Sequence, residues 1–218
     1  MFKVSIIVPI AVSFLFLCAP SPVIANEDIV TPEGYRLTWN DEFTSSQIDD
    51  KKWGFEEGYI RNQELQWYSK NNAKITKGNL VLTGSREKNK KNPNFDPAAK
   101  GGGNWKKKRQ FIAYTSASLN TRGKFKFQYG ILEVRAKIIT EKGLWPAIWT
   151  LGENGTWPSN GEVDLLEYYG GSILANACWA TPRQWQAKWD SSKTPITKFT
   201  KKDPEFFENY HVWKMDWN

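Results

Sequence analysis

The chain has 218 residues, enough for one domain with a sizeable core, and its net charge is +7 at neutral pH. It contains two cysteines, Cys18 and Cys178, and one histidine, His211. This composition argues against a disulfide framework, a Ser-His-Asp hydrolase and a histidine-built zinc site. The basic excess comes without a recognisable nucleic-acid-binding module, so we expect no nucleic-acid partner.

Residues 1–25 have the pattern of a secretory signal peptide. Lys3 supplies the positive n-region, an almost unbroken apolar run follows over Val4–Leu17, and a small-residue cleavage pattern ends at Ala25. The run is too short to favour a membrane span. A lipoprotein anchor at Cys18 is the alternative, but the leucine before it is a poor match to such a processing site. We therefore expect cleavage after Ala25 and a secreted or periplasmic protein.

The remaining residues, 26–218, have the pattern of one all-β domain, which we expect to be monomeric. Short segments that alternate apolar and polar residues predict strands, and glycine- and asparagine-rich turn signals separate them. Many short strands with regular turns are typical of a β-sandwich. The clearest predicted strands are Leu80–Thr83, Lys124–Phe127 and Ile131–Ile138, the last with Leu132, Val134, Ala136 and Ile138 on its core face.

Residues 88–110 form the least regular stretch and contain two basic runs, Lys88–Lys91 and Lys106–Arg109. A solvated surface loop accounts for such charge, and an anionic glycan ligand is the alternative. A loop of this length in a compact domain is usually functional or mobile, and we interpret it as lying on the substrate side.

Three carboxylates, Glu162, Asp164 and Glu167, occupy six residues of an apolar, strand-like run. Burying such a group costs several kcal/mol unless it is paired, and glycoside hydrolysis is the chemistry that most naturally requires several together. Alternation on a strand would turn Glu167 away from the other two. A β-bulge at Leu165-Leu166 would bring all three to one face, and we predict one there.

The order of the acids along the strand suggests a role for each. Asp164 would share a proton or hydrogen bond with Glu162 and orient it as the nucleophile, while Glu167 would be the proton donor, with a pKa raised by burial and by its anionic neighbours. The alternative is a row of surface acids. The tryptophan-rich segment Gly143–Trp149, directly before them, favours catalysis because sugar faces stack on indole.

These motifs resemble glycoside hydrolase family 16. Glu162–Glu167 matches the bulged form of that family's signature, Glu-x-Asp-x-x-Glu, and further segments fit it over most of residues 35–217. The supporting segments are Leu37–Phe43, Arg61–Tyr68, Tyr114–Ser118, Gly143–Trp149 and His211–Trp217.

The resemblance implies a β-jelly-roll sandwich of two curved antiparallel sheets with a glycan cleft on the concave face. It also implies retaining endo-hydrolysis, with Glu162 as nucleophile, Glu167 as acid/base and Asp164 as assistant. Trp145 and Trp149 match positions at the cleft floor, and Asn62 and Glu64 match a segment that borders the non-reducing-side subsites. Catalysis in the family requires no cofactor, although many members bind a structural calcium whose ligands cannot be placed here.

Two departures from the family pattern matter. β-Glucanases of the family often carry a histidine on the strand after the catalytic one, and here Asn176 or Trp179 would take its place. The segment that follows, which begins at Arg183, looks like a further wall of the cleft. The chain also stops at Asn218, where family members continue for several strands, so we expect C-terminal strands to be missing.

The leading functional hypothesis is a secreted endo-glycosidase that hydrolyses β-1,3- or mixed β-1,3/1,4-glucan, a polysaccharide partner. A galactanase of the agarase or carrageenase type is one alternative, which the basic runs would suit. A non-catalytic glycan-binding module is the other, against which the retention of both glutamates argues.

Overall fold

A computed structural model describes residues 3–9 and 30–218. Within that part of the chain the backbone is mostly extended, and the single α-helix, α1, covers only Ile196–Thr200. Four 3₁₀ helices cover Lys70–Asn72, Pro97–Gly101, Trp105–Lys107 and Phe206–Glu208. The strands are β1 Lys3–Pro9, β2 Tyr35–Asp41, β3 Gly54–Phe55, β4 Gln66–Tyr68, β5 Ala73–Thr76, β6 Asn79–Leu82, β7 Ser85–Lys91, β8 Phe111–Ser116, β9 Leu119–Asn120, β10 Gly130–Ala136, β11 Ala147–Leu151, β12 Glu162–Tyr169, β13 Ser172–Ala180, β14 Ala187–Pro195 and β15 His211–Trp217.

Two four-stranded antiparallel sheets form the body of the described structure. The carboxylate sheet has the order β11-β12-β13-β14, and the support sheet has the order β15-β10-β1-β2. Three small sheets, β4-β8-β7, β3-β9 and β5-β6, extend the fold. This all-β architecture confirms the predicted fold class.

The two large sheets pack face to face through apolar side chains. Leu165 and Ile148 of the carboxylate sheet contact the buried cluster of Leu132 and Val134 on β10, and Trp213 of β15 joins it. The core face predicted for Ile131–Ile138 is confirmed, since Leu132, Val134, Ala136 and Ile138 are all at most 5% exposed. The strand itself ends at Ala136, and Ile131, predicted on the opposite face, is also buried. Burial of the inner face leaves the outer face of the carboxylate sheet for binding.

The predicted bulge in β12 is confirmed. Asp164 lies opposite Asn176 of β13 and Glu167 lies opposite Leu174, so Leu165 and Leu166 together face the single residue between those partners. Leu166 is fully buried and Leu165 packs on the support sheet, so both leucines point inward. Alternation on either side of the bulge therefore turns Glu162, Asp164 and Glu167 to the outer face.

One predicted strand is wrong. The Lys124 and Phe125 backbone N–H groups both donate to the Thr121 carbonyl, at 2.9 and 3.0 Å, so Lys124–Phe127 starts from a turn and joins no sheet. The apolar spacing that suggested a strand instead serves packing, because the Phe125 ring stacks on Trp39 with ring centroids 5.5 Å apart. The predicted loop over 88–110 is likewise shorter than expected, since β7 continues to Lys91.

The predicted signal peptide lies only partly within the described residues. Residues 3–9 form β1, which pairs antiparallel with β2 on one side and β10 on the other. Residues 10–25, with the predicted cleavage site at Ala25, lie outside the described part. In the described residues, no helix has the length and apolar character needed to cross a membrane.

Candidate active site

Each outer glutamate of the carboxylate row accepts a hydrogen bond from an indole. Trp157 Nε1 donates to Glu162 Oε2 at 2.6 Å, and Trp145 Nε1 donates to Glu167 Oε1 at 2.9 Å. These bonds fix the rotamers of the two carboxylates and favour their ionised forms. The structure thus brings Trp145, predicted as a cleft residue, directly to the predicted proton donor.

A single amide joins the middle acid to the predicted proton donor. Asn176 Nδ2 donates to Asp164 Oδ2 at 2.8 Å and to Glu167 Oε2 at 2.9 Å. Asp164 is 3% exposed and Asn176 is 8% exposed, so these bonds lie in a largely desolvated setting. Of the two residues considered for the position of the family histidine, it is Asn176 that reaches the acids.

The loop before β12 positions Trp157, which the sequence reasoning did not single out. Gly152 N donates to Gly161 O at 3.2 Å and Asn160 Nδ2 donates to Gly152 O at 2.8 Å, closing the loop at its base. A Cβ at Gly152 would lie 1.7 Å from the Asn160 carbonyl oxygen, so only glycine fits there. The available signal was a tryptophan five residues before Glu162, but its direction depends on this closure.

All three acids have raised pKa values, with burial as the main cause. The pKa of Glu162 is raised from 4.5 to about 7 by burial, against the Trp157 hydrogen bond and with repulsion from Asp164. Burial and the charge of Asp164 raise the pKa of Glu167, and burial raises that of Asp164 although Asn176 opposes it. The cluster therefore holds a proton up to near-neutral pH. An acid and a nucleophile in one site require that Glu167 keep its proton while Glu162 is ionised.

The predicted cleft residue Trp149 lies on β11 opposite Asp164, so it faces the same side as the acids. The Arg61 guanidinium lies over its ring, 5.3 Å from the centroid, and donates to Tyr68 Oη at 3.3 Å. Tyr68 Oη donates in turn to Glu64 at 3.0 Å. Glu64 therefore reaches the cleft through Tyr68 and Arg61, and Asn62 begins the left-handed turn between them, with φ of 51°.

Two predicted binding residues are not brought to the acids. Trp179 follows Cys178, which lies opposite Glu162, so alternation puts Trp179 on the other face of β13, where Lys188 lies 5.6 Å from its ring centroid. Arg183 lies in the exposed turn that joins β13 to β14. Trp189, opposite Cys178 on β14 and 44% exposed, shares the face of Glu162 and was missed as an individual site residue.

Metal ligands are harder to place. In the ranges 3–9 and 30–218, no group of three or more His, Cys, Asp and Glu side chains is arranged to hold a metal ion. The structural calcium suggested by the family resemblance stays a prediction.

Comparisons with known proteins identify a matching family and similar structures. The family model for Glycosyl hydrolases family 16 matches residues 60–218. Glucan endo-1,3-beta-glucosidase A1 of Niallia circulans is 29% identical over 91% of this chain and 30% of its own length. The laminarinase catalytic domain of Thermotoga maritima superposes with a TM-score of 0.65 and 28% identity, covering 84% of this chain and 70% of that one.

A third similar protein is a solved structure from work on endo-acting O-glycanases that human gut bacteria express to initiate mucin breakdown. It superposes with a TM-score of 0.74 and 35% identity, covering 86% of this chain and 66% of that one. The chain spans less than half the length of the first curated relatives it matches, 30% and 44%.

Proposed function

The chain belongs to glycosyl hydrolases family 16, and from that premise we propose that it is a retaining endo-glycosidase acting on β-1,3- or mixed β-1,3/1,4-glucan. The observation that carries the proposal is the bulged row Glu162, Asp164 and Glu167, with separate indole donors to the two glutamates. The similarity to a glucan endo-1,3-beta-glucosidase and to a laminarinase supports β-glucan as the substrate.

In the first step, the Glu162 carboxylate attacks the anomeric carbon and the glycosidic C–O bond breaks. Glu167 gives its proton to the departing oxygen, leaving a glycosyl ester on Glu162. In the second step, ionised Glu167 takes a proton from water, the water oxygen attacks the anomeric carbon, and Glu162 leaves as a carboxylate. The Trp157 N–H stabilises that carboxylate whenever it carries charge.

Asp164 and Asn176 act on this cycle through Glu167 and Glu162. The Asp164 charge helps to keep Glu167 protonated before the first step. Asn176 ties the carboxyls of Asp164 and Glu167 to one amide nitrogen, which orients the proton donor toward the outer face. The Trp149 ring beside Asp164 offers an apolar face to the sugar.

The substrate is tested by reducing-sugar release from laminarin, lichenan, agarose and carrageenan. We expect release from laminarin or lichenan, with products of retained anomeric configuration in early NMR spectra. Activity on agarose or carrageenan alone would replace β-glucan by a galactan as the substrate. Inverted products would contradict the double displacement.

Glu162→Gln should lower kcat by about 10⁴-fold or more while glycan binding is retained. Because Glu162 must be ionised to attack, kcat/KM of the parent enzyme should fall as the pH drops below about 7. Turnover that survives the substitution would overturn the nucleophile assignment. A protein that binds glycan and hydrolyses nothing, with or without the substitution, would be the non-catalytic module.

The thermal stability of Glu162→Gln shows whether the loss of activity reflects unfolding. The folded pKa of Glu162 is raised from 4.5 to about 7, so the folded state binds more protons than the unfolded state between these values. The free energy of unfolding therefore falls as the pH rises through this window, and the ionised group destabilises the fold above it. Glu162→Gln should consequently melt at or above the parent's temperature at pH 8, with a smaller difference near pH 4.5.

Export is the remaining part of the proposal. The charged residue Lys3, the apolar run over Val4–Leu17 and the small-residue pattern at Ala25 support a cleaved secretory signal. The N-terminal sequence of protein recovered outside the cytoplasm tests it, with Asn26 expected as the first residue.

A further inference from the structure

The excess positive charge of the chain is confined to one hairpin. The basic hairpin comprises β7, β8 and the loop between them, residues 85–116. It contains nine Lys and Arg against two Asp and Glu, a net charge of +7, which leaves 21 of each sign in the rest of the chain. Because the remainder is neutral, this concentration of charge is a local feature that solubility alone does not explain.

Most of these cations have no anionic partner in the described structure. Lys88, Lys91, Lys107 and Lys108 are exposed, and none of them forms an ion pair with another described residue. Lys90 is the exception, with Nζ 3.3 Å from Glu87 Oε1. The unpaired ammonium groups are therefore available to an anionic ligand.

The loop that presents them is internally bonded. Asn92 is 5% exposed, and its Nδ2 donates to the Arg109 carbonyl at 2.8 Å while its backbone N–H donates to Gln110 O at 3.0 Å. Asp96 N donates to Lys107 O at 3.0 Å, which ties the middle of the loop to its second basic run. These bonds hold the two basic runs close to each other.

Arg109 joins the hairpin to the cleft segment. Its guanidinium donates to the backbone carbonyls of Gln63 and Glu64 and lies 4.8 Å from the ring centroid of Tyr59. Glu64 accepts from Tyr68, whose ring lies 5.4 Å from the Arg61 guanidinium. The hairpin is therefore fastened to the same segment that contacts Trp149 beside the acids.

Tyr114 and Arg86 of the hairpin share a face of the small sheet with the cleft segment. Tyr114 of β8, 40% exposed, lies opposite Arg86 of β7 and opposite Gln66 of β4. Residues opposite each other share a face, and Tyr68, two residues after Gln66, shares it as well. An exposed aromatic ring beside a cation offers a sugar both an apolar C–H face contact and a partner for a negative substituent.

We propose that the basic hairpin binds negatively charged groups, sulfate esters or carboxylates, on the glycan chain that occupies the cleft. The lysine side chains bind the anionic substituents of sugar units beyond the Arg61 and Trp149 end of the cleft, while Tyr114 stacks on a sugar ring. The enzyme therefore favours anionic chains over neutral chains of the same backbone. This inference rests on the proposed function for the position of the substrate.

The test compares polymers that share a backbone and differ in the charge of their substituents. Carboxymethyl and hydroxyethyl ethers of one β-1,3-glucan, at equal substitution, provide a glucan pair, and carrageenan and its desulfated form provide a galactan pair. Lys88, Lys91, Lys107 and Lys108 are changed to Gln together in the full chain. The matched control changes Lys74, Lys77, Lys201 and Lys202, four exposed lysines outside the hairpin, to Gln.

We expect the parent enzyme to favour the anionic polymer, mainly through KM, and to lose this preference as the salt concentration rises. The hairpin variant should lose about tenfold in the ratio of kcat/KM between anionic and neutral polymer, since each exposed pair contributes modestly. The control variant should keep the parent ratio. Equal ratios in both variants, or an equal loss in both, would overturn the inference.

Binding gives a readout that does not need turnover. In native gels that contain each polymer, the anionic one should retard the parent and the control variant more than the hairpin variant. If this pattern occurs without hydrolysis of any polymer, the hydrolytic proposal fails and the hairpin assignment stands. If hydrolysis occurs without this retardation pattern, the hydrolytic proposal stands and the hairpin assignment fails. If double-stranded DNA in the gel retarded the parent as much as the anionic glycan does, the assignment of the hairpin to glycans would be overturned.

Discussion

The two large sheets are built from the chain in opposite ways. The carboxylate sheet takes its four strands, β11 to β14, in sequence order, so each strand pairs with its neighbours along the chain. The support sheet brings together β2, β10 and β15 with β1, whose residues 3–9 fall inside the predicted signal peptide. The three acids thus lie in a sheet formed by one continuous stretch of the chain, while the sheet that packs beneath it is assembled from distant segments.

This difference suggests that the two sheets fail differently when mutated. A change on the outer face of the carboxylate sheet should affect rate and pH dependence, because those side chains contact one another and the cleft. A change in the support sheet should affect the free energy of unfolding, because its inward side chains pack against the carboxylate sheet in the core.

Among the changes that compare the two sheets, the largest effect is expected at Glu167 on the carboxylate sheet. Glu167→Gln removes the proton donor, so kcat on polysaccharide should fall by about 10²–10⁴-fold. Aryl glycosides with acidic phenol leaving groups need little protonation, and their glycosylation step should be nearly unaffected. Initial rates over a series of leaving-group pKa values measure the difference.

An unchanged dependence on the leaving group would contradict this role for Glu167. Glu133→Gln is the matched control, because Glu133 lies on β10 of the support sheet and forms an ion pair with Lys214 at 3.5 Å. It should leave the leaving-group dependence at the parent value.

The next effect is expected at Ile6 in the support sheet. Ile6 is 5% exposed and packs with Leu132 and Val134, so Ile6→Ala should lower the free energy of unfolding by about 2–4 kcal/mol in the full chain. The pH profile of the folded enzyme should be unchanged. Urea unfolding measures the first quantity and initial rates the second.

Val30→Ala is the control for Ile6, because Val30 is 90% exposed and should change stability by less than about 0.5 kcal/mol. An Ile6→Ala protein as stable as the parent would mean that β1 does not occupy the support sheet. Comparing residues 1–218 with 26–218 in the same assay measures the contribution of the whole strand, which the predicted cleavage after Ala25 would remove.

The locality of the carboxylate sheet also explains which features could be predicted. The bulge at Leu165-Leu166 followed from alternation and the spacing of three acids. The position of Asn176 opposite Asp164 could also have been predicted. In a regular hairpin, counting from the Gly170-Gly171 turn would pair Asp164 with Ala177. The one extra residue of the bulge moves the partner of Asp164 to Asn176. Alternation then places Trp179 on the far face.

Other contacts depend on parts of the fold that no local pattern encodes. Trp157 reaches Glu162 only because Gly152 and Asn160 close the loop before β12. The apolar spacing at Phe125 gave a strand that does not form, since the same spacing serves packing against Trp39 from irregular backbone. The position of β1 could not be predicted, because its apolar residues match a signal sequence equally well.

The smallest effect, and the one that tests the coupling inside the carboxylate sheet, is expected at Asn176. Its amide stabilises the ionised forms of Asp164 and Glu167, so Asn176→Ala should raise the pKa of both. Because Glu167 must be protonated in the first step, the alkaline limb of kcat/KM should move to higher pH. The loss of orientation should also lower kcat by about tenfold, the equivalent of one hydrogen bond.

Ser191→Ala is the control for Asn176, since Ser191 lies opposite it on β14, one strand further from the acids. The pH profile of this control should match that of the parent. If Asn176→Ala lowers kcat and leaves both limbs of the profile in place, the amide serves packing alone and the carboxylates titrate without it. A shifted alkaline limb with normal thermal stability would instead show that Asn176 sets the pKa values of the acids. A residue of β13, a strand that supplies none of the three acids, would then control their protonation.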